Sequence, residues 1–103
     1  MNDFQNSTDL LQEDEEKLQT PKRYTVMFHN DAFTTMEFVV MVVIKVFHVG
    51  RDEAQRFMLR VHQSGIASIG DFNYDIAKTK AEQVMNIARV DGYPLRCSVE
   101  EIS

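Results

Sequence analysis

The run Phe38–Phe47 restricts this chain's fold more than any other feature, because nine of its ten residues are apolar and only Lys45 interrupts them. A helix that is apolar nearly all round has to be buried on most of its surface. The run is far shorter than the roughly 18 residues that cross a bilayer, so the rest of the chain is expected to cover it. With 103 residues, 44% of them hydrophobic, the chain has the material for one domain with a single modest core.

The flanking segments supply that cover. In Tyr24–His29, Tyr24, Val26 and Phe28 alternate onto one face, the pattern of a half-buried strand. Asn30-Asp31 then reads as a turn, since these side chains bond readily to their own backbone. Thr34 followed by Glu37 reads as a capping box opening the apolar helix, and Gly50 as its end. Asp52-Glu53-Ala54-Gln55 reads as a second helix start; Ala54, Phe57, Met58 and Val61 recur at helical spacing, and Gly65 takes the usual C-terminal position. Ile66–Phe72 is expected to be a strand interrupted by Gly70. Asn73 can cap a third helix over residues 74–90, with Ala77, Val84, Ile87 and Ala88 inward. Asp91-Gly92 ends it, Pro94 prevents a restart, and Leu95–Val99 reads as the last strand. The order is β-α-α-β-α-β, an α+β chain.

Charge divides the chain in two. Residues 1–20 hold six of the sixteen acidic residues and one of the eleven basic ones, whereas residues 21–103 hold ten of each. The net charge of −5 therefore belongs to the first 20 residues, read as a flexible acidic extension ahead of a core spanning 21–103. Nucleic-acid binding rests on many Lys and Arg contacts to phosphate, and a core without basic excess argues against that partner. No basic start followed by an apolar stretch opens the chain, so no secretory signal and no membrane segment is expected. The single cysteine, Cys97, cannot form an internal disulfide, which fits a reducing cytoplasm or simply a protein that needs no staple.

Cys97, His62 and Asp31 are the ingredients of a thiol triad. Cys97 lies within a strand pattern with no glycine nearby, however, which suits a buried structural thiol better than a presented nucleophile. His29, His48 and His62 lack ligand spacing among themselves or with Cys97, so no metal site is expected. The four glycines read as turn and cap residues, so no cofactor-cradling loop is expected either. Read on residue type alone, Asn30 and Asp31 are turn formers, His62 is a helix-end residue, and Met36 and Met58 fill a core.

The segment Val26-Met27-Phe28-His29-Asn30-Asp31-Ala32-Phe33-Thr34-Thr35-Met36-Glu37-Phe38-Val39 resembles the signature of the ClpS adaptor family: a hydrophobic strand, then Asn-Asp-Asp-aromatic-Thr-Pro-Met-Glu-Phe-Val. Met58-Leu59-Arg60-Val61-His62-Gln63-Ser64-Gly65 is similar to the family's Met-x-x-Val-His-x-x-Gly. Ala77-Lys78-Thr79-Lys80 with Ala88-Arg89, and Pro94-Leu95 with Cys97, extend the match over about residues 22–101. The resemblance implies a three-stranded antiparallel sheet packed against three helices, like the C-terminal domain of a ribosomal stalk protein. It implies a monomeric, non-catalytic adaptor that recognises proteins beginning with Leu, Phe, Tyr or Trp and delivers these N-degron substrates to the N-domain of a ClpA-type AAA+ unfoldase, which feeds ClpP.

Carried over by resemblance, Asn30 and His62, with Asp31 close by, hold the free α-amino group. Thr34, Met36, Val39, Met58, Val61 and Leu95 line the pocket for the first side chain, with Met36 as a gate against β-branched residues. Asp75 and Lys80 match positions that face the unfoldase, and the acidic extension matches one needed for delivery. The chemistry is coherent: an α-amino group has a pKa of about 7.7–8.0 and needs acceptors such as an amide oxygen, an imidazole nitrogen or a carboxylate. Three departures stand out. Ala32 replaces the second Asp, which implies weaker binding or a shifted preference. Thr35 replaces the Pro, which implies a looser helix start. His29 replaces an aliphatic residue. Ala32 also keeps open a second reading, a paralogue that docks the unfoldase mainly to redirect or inhibit it.

Overall fold

A computed structural model of the chain describes residues 20–103, with elements in the order β1 (Arg23–His29), α1 (Met36–Phe47), α2 (Arg51–Ser64), β2 (Ile66–Phe72), α3 (Tyr74–Val90) and β3 (Arg96–Ile102). Most of the acidic extension, residues 1–19, lies outside the described residues. The three strands form one antiparallel sheet in the order β2-β1-β3, the three-stranded antiparallel sheet that the resemblance implies.

Alternation along β1 decides which face is covered. Val26 and Phe28 are fully buried and pack with Val42 and Val43 of α1, Phe57 of α2 and Val84 of α3 in one core. The Phe28 and Phe57 rings meet edge-on at 5.0 Å and 88°, a favoured aromatic geometry. Val26 stands opposite Val99 of β3, and Phe28 stands opposite Cys97, so the inner stripe of β3 continues that of β1. Between Tyr24–Phe72 and Val26–Ile69 the register slips by one residue. Gly70, at φ 93°, sits in this bulge, and a Cβ there would run into the Phe72 ring. The left-handed conformation favours glycine, and any side chain there would also have to displace the Phe72 ring.

Two helix boundaries differ from the sequence reading. The N-cap of α1 is Thr35, whose Oγ1 accepts from the Phe38 N–H at 3.1 Å. Thr34 is held instead by the preceding Asp31. Thr35 is thus outside the helix and adds a cap bond, so the looser start expected from losing the Pro does not follow. The C-terminal position of α1 is taken by His48, left-handed at φ 59°, while Gly50 serves as the N-cap of α2. The turn is too short for Gly50 to serve both helices. Asn73 does cap α3, accepting from the Ile76 N–H at 2.9 Å.

Candidate functional site

The loop from Asn30 to Thr35 and the C-terminal turn of α2 are brought together by one main-chain bond. The Asn30 N–H donates to the Gly65 carbonyl at 2.9 Å. Gly65 is the left-handed C-cap of α2, at φ 83°, and its own N–H returns to the Val61 carbonyl. His62 is in the last turn of that helix, so Asn30 and His62 approach the same spot from different elements. Met58, Val61 and His62 are spaced to share one helix face. Met36 and Val39, in the first turn of α1, face them.

These residues form a half-open cavity of about 560 Å³, lined by Asn30, Asp31, Ala32, Thr34, Thr35, Met36, Val39, Met58, Val61 and His62. That volume falls within the roughly 300–1,000 Å³ of small-ligand pockets. The sequence-derived residues thus converge, with one exception. Leu95 is buried in the same core cluster as Val39 and Val61 but does not line the cavity.

Asp31 is committed to its own loop. Its Oδ1 accepts from the backbone N–H groups of Phe33 and Thr34 at 2.8 and 2.7 Å, and its Oδ2 accepts from the Thr34 hydroxyl at 2.8 Å. Burial pushes this carboxyl up, but the bonds from the Thr34 side chain and from the Thr34 and Phe33 backbone together outweigh it and hold the pKa below its ordinary value. A carboxylate offers about four lone-pair sites, so most of this one's capacity is used in shaping the loop, and its charge is what remains for a ligand. Asn30 and His62 are exposed at the cavity, and among the described residues no side-chain bond occupies the Asn30 amide or the His62 imidazole. The site therefore presents two uncommitted polar groups and one fixed negative charge at the mouth of a thioether- and valine-lined cavity.

The remaining sequence-derived residues lie elsewhere. Cys97 is buried on the inner face of β3, and burial pushes its thiol up to about 12. A thiol held there is protonated at neutral pH and is not a nucleophile. His29 is tied to Ser98 across the sheet, Nε2 to Oγ at 2.8 Å. This puts His29 on the sheet face opposite Val26 and Phe28, away from the cavity lining. Asp75 is exposed in the first turn of α3. Lys80 is half-buried: its Nζ donates to the Val46 carbonyl at 2.9 Å and lies 5.6 Å from the centres of both the Phe47 and Phe72 rings. It thereby satisfies one of the unpaired carbonyls at the end of α1, a role that sequence spacing cannot reveal. Among the described residues no group of three acidic, histidine or cysteine side chains could hold a metal, and no helix is long and apolar enough to cross a membrane.

Strand order, helix placement and cavity together define a small α+β protein with a ligand-sized recess between α1, the end of α2 and the loop after β1. The family model for the ATP-dependent Clp protease adaptor protein ClpS matches residues 19–98. The chain belongs to the ClpS family. It is 46% identical over 102 residues to the ClpS adapter of Nitratidesulfovibrio vulgaris strain Miyazaki F, covering 99% of this chain and all of that one. It is 43% identical to the ClpS adapter of Syntrophus aciditrophicus, covering 96% of this chain and all of that one. The structure of Agrobacterium tumefaciens ClpS2 bound to L-phenylalaninamide is similar at a TM-score of 0.78 and 36% identity, covering 81% of this chain and 100% of that chain.

Proposed function

We propose that the chain recognises proteins through a free, bulky hydrophobic N-terminal residue and delivers them to a ClpA-type unfoldase for degradation by ClpP, without catalysis of its own. The observation that carries this reading is the meeting of the uncommitted Asn30 and His62 side chains with the apolar cavity of Met36, Val39, Met58 and Val61. An α-ammonium group needs acceptors, and bonds to a charged group contribute about 1.5–3 kcal/mol each. The Asn30 amide oxygen and an unprotonated His62 nitrogen supply two, and the Asp31 carboxylate supplies a field of the right sign. Burying Leu, Phe, Tyr or Trp in the cavity contributes a further ~1.5–3 kcal/mol.

Two findings support this reading from outside the cavity. The ClpS2 relative was captured with L-phenylalaninamide, a molecule with a free α-amino group, an aromatic side chain and no carboxylate. The protonated, buried Cys97 leaves the rival thiol-hydrolase reading without its nucleophile. In this account the chain acts as a cytoplasmic monomer, Met36 gates against β-branched residues, Asp75 and Lys80 face the unfoldase N-domain, and residues 1–18 serve delivery rather than binding.

The test is degradation of a Leu-initiated reporter by a reconstituted ClpA-type unfoldase and ClpP. Addition of the full chain accelerates it, while a chain lacking residues 1–18 binds the reporter but does not deliver it. Equal degradation with the truncated chain contradicts the delivery role. A second reading, a paralogue that mainly docks and redirects the unfoldase, is favoured by Ala32 at the cavity wall. It predicts inhibition of other substrates without acceleration of this one.

A further inference from the structure

Beside the cavity, a second apolar hollow of about 520 Å³ runs along the junction of α1 and α2. Met36 and Met58 line both hollows, so the two share a thioether wall. Beyond that wall the groove is lined by Val40, Met41 and Ile44 of α1. Met41 is 40% exposed, an unusual placement for a large side chain in an otherwise buried helix. The groove's two charged residues, Glu37 and Arg51, are of opposite sign, so the hollow selects for apolar character and not for net charge.

We infer that this groove holds an apolar side chain of the second residue of a bound substrate, which extends recognition beyond the first residue; the inference rests on the proposed function of the adjoining cavity. Continuity through Met36 and Met58 supplies the argument for this occupant. Successive side chains of an extended peptide point to opposite sides of its backbone, and each residue advances at most ~3.3–3.6 Å. A chain that lies over the methionine wall with its first side chain in the cavity therefore turns its second side chain to the other side of that wall, toward Val40 and Met41.

The test compares fluorescein-labelled peptides beginning Leu-Phe-Gly and Leu-Gly-Gly, identical thereafter, by anisotropy with the full chain. The wild type is expected to bind Leu-Phe-Gly about three- to fivefold more tightly, the effect of partly burying one apolar side chain. Met41→Glu is expected to bring that ratio close to one, and Met41→Leu to preserve it. Equal binding of the two peptides by the wild type, or a ratio unmoved by Met41→Glu, overturns the groove while leaving the cavity reading intact. Binding of neither peptide overturns both. Sedimentation showing a wild-type dimer that Met41→Glu dissolves assigns the groove to a second copy of the chain and likewise overturns the inference.

Discussion

The Asn30 N–H donates to the Gly65 carbonyl at 2.9 Å, and this one bond sets the loop after β1 against the end of α2. Gly65 can receive it because, at φ 83°, it turns the chain sharply out of the helix. The bond places the Asn30 side chain beside His62 without using either polar group. Main chain thus builds the site, and side chains are left for the ligand.

Asp31 has the complementary role, and its titration reports on the loop. Its folded pKa lies below the unfolded value of about 3.9. A group of this kind contributes stability that is complete above the unfolded pKa and is lost as pH falls through the lowered folded one. Asp31→Asn is therefore expected to destabilise the chain by about 1 kcal/mol at neutral pH. In urea titrations the gap from wild type should narrow below about pH 4. A gap of constant size down to acid pH contradicts this account of the loop.

Lys80 and Asp75 are both proposed to face the unfoldase, but the fold itself uses only one of them. Lys80→Met removes a charged bond to the Val46 carbonyl and two cation–ring contacts. It is expected to cost about 1–2 kcal/mol of stability. Asp75 is exposed on the first turn of α3, and Asp75→Asn is expected to change stability by no more than about 0.5 kcal/mol. Denaturation of both variants, run before any unfoldase-binding assay, separates loss of docking from loss of fold. A neutral Lys80→Met contradicts its structural role.

The pattern of elements was legible because periodicity and capping are local. The strand Tyr24–His29, the apolar helix, and the Asn73 cap are all written in adjacent residues. The choice between Thr34 and Thr35 as cap was not, because it is decided by Asp31 claiming the Thr34 hydroxyl and N–H. The end of α1 fell at His48 and not at Gly50 for a similar reason: α2 begins within three residues and takes Gly50 for itself. Asn30, Asp31 and His62 have unremarkable residue types, and they stood out only through the linked motifs. The separation of Leu95 from the cavity wall, the anchoring of Lys80 and the tie from His29 to Ser98 all depend on side-chain contacts between elements distant in sequence. Spacing alone carries no signal for them.

Ala32 lines the cavity where the family pattern has a second Asp. Ala32→Asp restores negative charge at the mouth, in an exposed position where screening limits its effect to about 1 kcal/mol. Affinity for a Leu-initiated peptide is expected to rise about fivefold, with the gain shrinking as salt increases. Unchanged or weaker binding shows that Ala32 is not a deficit in this chain's site.

The proposed site reads a free α-amino group, and anisotropy of a labelled peptide beginning with free Leu, beside its N-acetylated twin, is the experiment that decides it. Acetylation removes the charge and two of the donors that Asn30 and His62 would accept, so the free peptide is predicted to bind at micromolar strength or tighter and the acetylated one at least about tenfold more weakly. Equal binding of the two, or binding of neither, contradicts the account.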